Sequence, residues 1–130
     1  MSFKEGRIVY LHRALPDPQG GDGDYNRPWI IINRQSQLDR GDDLTIVAST
    51  TSFEKPVPTT SPYVPLRSGK VGSAGLPRES VAHCGWVYYL PREDVRDFGG
   101  LIELRELAVI RLKVDEFINN NGLIREVEPR

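Results

Sequence analysis

One apolar run restricts the fold of this chain more than any other segment. It extends from Trp29 to Ile32, ends at Asn33 and follows directly on Arg27-Pro28. An unbroken run of this kind predicts a strand buried on both faces. Proline fixes its own backbone and biases the preceding residue towards an extended conformation, so Arg27 is held in a defined direction at the start of the strand. A guanidinium held in this way suits a planar anion such as phosphate.

The other strand-like runs are short, and loops rich in Gly, Pro and Asp separate them. The stretches 16–26 and 50–62 contain too many turn-forming residues for a regular element, and the polar stretch 34–43 is interpreted as a connection. Besides the run at Trp29 to Asn33, we predict strands over Arg7 to Leu11, Leu44 to Ser49, Tyr63 to Leu66 and Ser80 to Tyr89.

The C-terminal part shows helical periodicity. Apolar residues from Leu104 to Ile118 recur at spacings of three and four and form one helical face. The segment from Asn119 to Gly122 predicts the helix end, with Gly122 in the left-handed conformation, and the tail beyond it has room for a short strand. About five short strands and one terminal helix predict a mainly β fold, a small partly open barrel with a C-terminal α-helix packed on it.

Length and composition predict one soluble cytoplasmic domain over residues 1–130. No apolar stretch approaches the ~20 residues of a membrane helix, so we expect no membrane contact. The net charge of −1 lacks the basic excess that is usual in proteins that bind long nucleic acids. Cys84 is the single cysteine, which leaves no disulfide partner in this sequence, and its apolar neighbours predict a buried, unreactive thiol.

Motifs for phosphate loops and metals are incomplete. Gly69-Lys70 is followed by Val71 rather than Ser or Thr, which excludes a P-loop. Asp22 and Asp24 alternate as in a calcium loop, but the turn glycine and the distal glutamate are missing. The two histidines and the cysteine lack zinc-site spacing. We therefore predict no metal and no cofactor.

A cation and three hydroxyl groups form the strongest candidate site. Arg27 begins the second predicted strand, and Thr50-Thr51-Ser52 follow the third. If these strands are antiparallel neighbours, all four side chains lie at one edge, where they can hold the oxygens of a phosphodiester. Two simpler interpretations stay open: the hydroxyls cap a turn, and Arg27 pairs with an aspartate of the preceding loop, Asp22 or Asp24.

One histidine lies on a predicted strand and the other directly follows one. His83 is in the middle of the run that begins at Ser80, where it either transfers protons near neutral pH or is a structural residue. His12 follows the first strand at the base of the loop 16–26 and has the same two interpretations. Trp86 either stacks on a nucleobase or belongs to the core.

Four segments in register resemble the MazF/PemK family of toxins from bacterial toxin–antitoxin systems. They are residues 6–11 (GRIVYL), 27–32 (RPWIII), 47–52 (VASTTS) and 75–84 (GLPRESVAHC), and the match covers nearly the whole chain. The resemblance implies an SH3-like barrel of the CcdB/PemK type, a cytoplasmic homodimer and a cognate antitoxin as partner. It also implies metal-independent endoribonuclease activity on single-stranded RNA, by attack of the ribose 2′-hydroxyl on the adjacent phosphorus.

Roles follow from motif position. The resemblance implies that Arg27 stabilises charge on the phosphorus and is a possible acid, and that Thr51 hydrogen-bonds the scissile phosphate. Thr50 or Ser52 assists Thr51, and His83 is the candidate for proton transfer. Pro28 and His12 complete the predicted substrate-binding set.

The chain departs from the PemK branch of the family. That branch has an arginine and an aspartate two residues apart where this chain has His83 and Gly85, and its loop histidine has no counterpart in residues 16–26. Two alternatives to the nuclease therefore remain. One is a non-catalytic toxin that inhibits a protein, as CcdB inhibits gyrase; the other is a catalytically weakened member that binds RNA or the antitoxin.

Overall fold

The computed structural model describes residues 3–16, 26–51, 57–58, 60–67, 76 and 79–127. Within these residues the chain forms seven strands, two α-helices and one short 3-10 turn at Arg92–Asp94. The elements are β1 (Arg7–Leu11), β2 (Trp29–Ile31), α1 (Gln35–Arg40), β3 (Leu44–Thr50), β4 (Tyr63–Leu66), β5 (Ser80–Leu90), β6 (Val95–Leu101), α2 (Leu104–Asn119) and β7 (Arg125–Glu126). The predicted mainly β fold with a C-terminal helix is confirmed.

The strands belong to one sheet with the order β4-β5-β3-β2-β1-β6, and β7 pairs with β5. The short β7 runs parallel to β5, and every other pairing is antiparallel. Pro65 lies in β4, at the end of this order, where a residue without an N–H group is tolerated.

Each face of the sheet carries an apolar cluster. On one face α2 packs Leu107, Ile110 and Val114 against residues such as Ile30. On the other face the Trp29 ring meets Trp86 edge-on at 5.5 Å and Tyr88 at 5.9 Å, measured between ring centroids. Side chains alternate along a strand, so neighbouring residues of β2 enter different clusters. The run that starts at Trp29 is therefore buried on both faces, as predicted.

Two elements differ from the sequence prediction in the region between β2 and β3. The predicted connection 34–43 contains α1, which Arg34 begins and Gly41 ends in the left-handed conformation with φ of 91°. Leu38 is its one buried residue, so the helix has no apolar periodicity to detect. The second strand also ends at Ile31 rather than Asn33. The Asn33 side chain instead donates to the Asp43 carbonyl at 3.1 Å and accepts the Thr45 N–H at 2.7 Å.

The edge strand β6 was also missed. Its residues are mostly half-buried or exposed and include Gly99-Gly100, which indicated a loop. Gly99 has a steric role in the pairing of β6 with β1, because a Cβ at this position would lie 3.1 Å from Ile8. A glycine chosen for close approach is indistinguishable in sequence from a glycine in a turn.

Helix α2 ends where predicted, but the residue in the left-handed conformation is different. Asn121 has φ of 68°, whereas Gly122 is outside the positive region. The Gly122 N–H donates to the Phe117 carbonyl at 2.9 Å and the Asn121 N–H to the Ile118 carbonyl at 3.1 Å, the two bonds of a Schellman motif. In the described part of the chain, no helix has the length and apolarity needed to span a membrane.

Candidate functional site

The candidate site lies at one end of the strands, where β1 and β3 end and β2 and β5 begin. This row of strand ends is the edge to which the site residues belong. β2 and β3 are adjacent and antiparallel, with Trp29 opposite Ala48. The Ser49 N–H donates to the Pro28 carbonyl at 3.1 Å, which extends this pairing to the residue after Arg27. Arg27 therefore lies beside the end of β3, as the sequence prediction required.

Arg27 is held by a hydrogen bond and by an aromatic ring. Its Nη1 donates to the Ser49 carbonyl at 2.9 Å, and its Cζ lies 4.5 Å from the centroid of the Trp86 ring. A stacked cation of this kind is stabilised by about 0.5–2 kcal/mol. Its Nε is buried and makes no hydrogen bond with the described residues. The alternative partners, Asp22 and Asp24, lie outside the described residues.

A bulge in β5 brings His83 and Trp86 to the same face. Val47 pairs with Val87 but the next residue of β3, Ala48, pairs with His83, so three residues of β5 have no counterpart in β3. In a regular strand, residues three apart point to opposite faces. Here the two rings meet edge-on, with centroids 6.2 Å apart and an interplanar angle of 88°. Trp86 therefore contacts both His83 and Arg27.

The His83 imidazole is seated by its own strand and by β4. Its Nδ1 accepts the Gly85 N–H at 3.2 Å. Tyr63 lies opposite His83 in the β4–β5 register, and the two rings meet at 74° with centroids 4.7 Å apart. The ring is thus fixed on three sides, by Tyr63, Trp86 and the Gly85 backbone.

The hydroxyl residues are at the same edge. Thr50 is the last residue of β3, is half-buried and pairs with Val81, and alternation puts it on the face of Ala48 and His83. Thr51 is exposed at the bend that follows. Ser52, which we also predicted as a substrate ligand, lies outside the described residues.

The two remaining predicted site residues flank Arg27. Pro28 is half-buried, and its carbonyl is bonded to Ser49 as described above. His12 follows β1 at the same edge and is exposed, and its N–H donates to the Asp94 carbonyl at 2.9 Å. The structure thus brings Arg27, Pro28, Thr50, Thr51 and His83 together, and His12 lies at the end of the neighbouring strand.

The sequence prediction missed the residues that hold the site in place: Tyr63, Gly85 and the Ser49 carbonyl. Gly85 in the middle of a predicted strand is a signal for a bulge, whereas nothing in the sequence marks Tyr63 or the Ser49 carbonyl, because each acts through strand pairing or a backbone group. Trp86 was considered as core or as a stacking residue. It belongs to the core, being 2 % exposed, and it also supports Arg27 with its face.

Cys84 lies next to His83 in the chain but has no part in this site. It is fully buried on the α2 face of the sheet, and burial raises the pKa of its thiol to about 12. The prediction of a buried cysteine is therefore confirmed, and a thiol with a raised pKa is a weak nucleophile at neutral pH. Among the described residues, no three His, Cys, Asp or Glu side chains come together in a group that would hold a metal ion.

Comparison with known proteins identifies the fold. No family model and no curated protein matches this sequence. An endoribonuclease from a mycobacterial species has a similar structure, with a TM-score of 0.64 and 13 % identity over 92 % of this chain and 93 % of the other. The Mycobacterium tuberculosis toxin MazF-mt6 has a TM-score of 0.61 and 18 % identity over 87 % and 96 %. The chain therefore has the fold of these proteins, which confirms the fold that the four sequence segments implied.

Proposed function

We propose that this protein is a toxin of the MazF/PemK family that cleaves single-stranded RNA without a metal ion. The observation that carries the proposal is the fixed Arg27 guanidinium, which shares one sheet edge with Thr50, Thr51 and His83. Support comes from the two proteins of the same fold, one named an endoribonuclease and the other a MazF toxin. The four sequence segments that resemble this family include every residue of this group.

The proposed reaction is an internal transfer at phosphorus. The ribose 2′-oxygen forms a bond to the adjacent phosphorus, the bond to the 5′-oxygen breaks, and overall one proton passes from the 2′-hydroxyl to the 5′-oxygen. The products are a 2′,3′-cyclic phosphate and a 5′-hydroxyl. Negative charge grows on the non-bridging oxygens in the transition state, so donors fixed in advance around them accelerate the reaction.

Each residue of the group has a role in this proposal. Arg27 binds the non-bridging oxygens and stabilises their charge, because the Ser49 carbonyl and Trp86 hold its guanidinium in place. Thr51, assisted by Thr50, donates its hydroxyl to the same phosphate. His83, on β5, meets the same indole edge-on and supplies a third polar group.

Cleavage of RNA in EDTA tests the proposal. A 5′-labelled single-stranded RNA is incubated with the wild-type protein, with Arg27→Ala and with the control Arg40→Ala. Arg40 is a suitable control because it is the exposed last residue of α1, where it pairs with Asp42, and α1 connects the end of β2 to the start of β3, away from the candidate site. We expect Arg27→Ala to lose about 10²–10³-fold in rate and the control to retain it. Absence of cleavage by the wild type, or equal cleavage by Arg27→Ala, would contradict the proposal.

The two alternatives give different results in the same samples. A CcdB-like toxin would leave RNA intact and inhibit supercoiling by gyrase. A weakened member would leave both RNA and gyrase unaffected while binding an antitoxin. A short neighbouring reading frame with a DNA-binding start and an acidic tail would supply the antitoxin for that measurement.

The proposal includes a cytoplasmic homodimer. The described surface of α2 carries large apolar side chains, with Leu104 71 % and Leu112 59 % exposed. Exposed apolar area of this kind is typical of interaction surfaces. Light scattering on the purified protein tests the expected mass of two chains, and a monomer at micromolar concentration would contradict this part alone.

A further inference from the structure

The hydrogen bond between Gly85 and His83 determines which imidazole nitrogen carries a proton. Nδ1 accepts the Gly85 N–H at 3.2 Å, and a nitrogen can accept only when it is unprotonated. The neutral ring therefore carries its proton on Nε2. In this tautomer, Nε2 is able to donate a hydrogen bond but not to act as a base.

A side chain at position 85 would press on this arrangement. A Cβ on Gly85 would lie 3.2 Å from His83 Cε1 and 3.5 Å from Nδ1. The ring has little room to move away, because Tyr63 and Trp86 meet it edge-on. The lack of a side chain at this position, which departs from the PemK pattern, thus allows the backbone amide to orient His83.

We infer that His83 acts on the phosphodiester as a neutral hydrogen-bond donor through Nε2–H, with Gly85 as its positioning residue. The inference rests on the proposed function and assigns His83 a role other than that of the general base. A neutral imidazole that gave up its proton would become an imidazolate, so His83 stabilises charge without transferring a proton. Water accepts the proton that the 2′-hydroxyl releases, and water supplies the proton that the 5′-oxygen gains.

Three described strands, β2, β3 and β4, bring residues to the surroundings of His83. Arg27 of β2, which reaches the same indole, supplies the positive charge of the site. Tyr63 of β4 contributes an aromatic ring and a phenol, and β3 places the apolar Ala48 opposite His83. An uncharged N–H on a ring that contacts the same indole as Arg27 adds a second donor for the phosphate without repulsion between two cations.

The tautomer is measured first, by ¹⁵N NMR of the imidazole nitrogens in the free protein at a pH where the ring is neutral. His12 is removed by His12→Gln so that His83 alone contributes the signals. We expect an unprotonated Nδ1 and a protonated Nε2. A dominant Nδ1–H tautomer would overturn the inference.

Cleavage by substituted proteins then separates a donor from a base. A glutamine at position 83 places an amide N–H near the position of Nε2 but cannot accept and release a proton, so we expect His83→Gln to stay within about tenfold of wild type. His83→Ala should lose about 10²-fold or more. If His83→Gln is as inactive as His83→Ala, His83 is an acid or base and the inference is wrong.

A double-mutant cycle tests Gly85, with thermal unfolding as a check that each variant is folded. Gly85→Ala should change the His83 ¹⁵N shifts and reduce cleavage, and in the His83→Ala background it should cause no further loss. Independent, additive losses would overturn the positioning role. A wild-type protein that cuts no RNA would overturn the proposed function and the catalytic role with it, whereas the NMR result would still decide whether Gly85 sets the tautomer.

Discussion

The Arg27 guanidinium lies against the face of Trp86, with its Cζ 4.5 Å from the ring centroid. Trp86 also meets Trp29 edge-on within the core and His83 at the candidate site. The Trp86 side chain therefore links the apolar core to Arg27 and to His83. Because of this link, changes in core packing and changes in site geometry are coupled.

Substitution of Trp86 tests this coupling. Trp86→Phe keeps an aromatic face below Arg27, whereas Trp86→Leu keeps only apolar volume. Loss of the whole side chain in Trp86→Ala should lower the free energy of unfolding by about 3–5 kcal/mol, measured in urea. At a temperature where both variants are folded, we expect faster RNA cleavage by Trp86→Phe than by Trp86→Leu, because a cation–π contact is worth about 0.5–2 kcal/mol. Equal rates would show that the ring face does not position Arg27.

Arg27→Lys tests whether charge alone suffices. Lysine keeps the positive charge but cannot both donate to the Ser49 carbonyl and lie flat on Trp86 while binding phosphate in a bidentate manner. We expect a loss in cleavage rate approaching that of Arg27→Ala, with a smaller loss in affinity for a 2′-deoxy substrate that cannot be cut. Cleavage by Arg27→Lys at the wild-type rate would mean that the site requires only a cation.

The strands, and the position of Arg27 beside the end of β3, were predictable from the sequence because they depend on short local runs of apolar residues. β1 and β4 have their predicted bounds, and the antiparallel pairing of β2 and β3 puts Arg27 beside the end of β3. These results follow from short apolar runs and from the geometry of neighbouring strands. The likeness in fold to MazF structures was likewise accessible from four segments in register.

The support of His83 was not predictable, because it depends on non-local structure. The register shift between Val47 and Ala48 changes which face Trp86 occupies, and Gly85 within the unpaired part of β5 was its one local signal, which fixes neither the length of the bulge nor the partner strand. The contact with Tyr63 requires the β4–β5 register. The helix α1 and the strand β6 were missed for a related reason, since each is defined by tertiary contacts rather than by a periodic apolar pattern.

Cys84 predicts a change of stability at alkaline pH. Burial raises the pKa of its thiol from 9.0 to about 12, so the folded protein keeps a proton that the unfolded chain releases above pH 9. This contribution is complete below about pH 9 and is lost as the pH rises towards 12, with a slope of up to about 1.4 kcal/mol per pH unit. Urea unfolding should therefore show a steeper decline for wild type than for Cys84→Ala over this range. Parallel declines would show that the thiol is not the cause.

The end of α2 distinguishes two reasons for a glycine. At Gly122 a Cβ would lie 2.5 Å from atoms of the Phe117 ring, and the left-handed residue is Asn121 with φ of 68°. The role of Gly122 is therefore steric rather than conformational, because a Cβ there would force the outer atoms of the half-buried Phe117 ring to move. Asparagine is tolerated in left-handed backbone but has the same Cβ as alanine, so Gly122→Asn and Gly122→Ala should both lower the free energy of unfolding by about 1–3 kcal/mol.

Asn121 provides the matched control for this prediction. Asn121→Gly should leave stability unchanged or raise it slightly, because glycine adopts the same conformation without strain, whereas Asn121→Ala should cost about 1 kcal/mol. The four variants are compared by urea unfolding. If Gly122→Asn is as stable as wild type while Gly122→Ala is not, then Gly122 is the left-handed residue in solution, and the steric explanation from Phe117 is wrong.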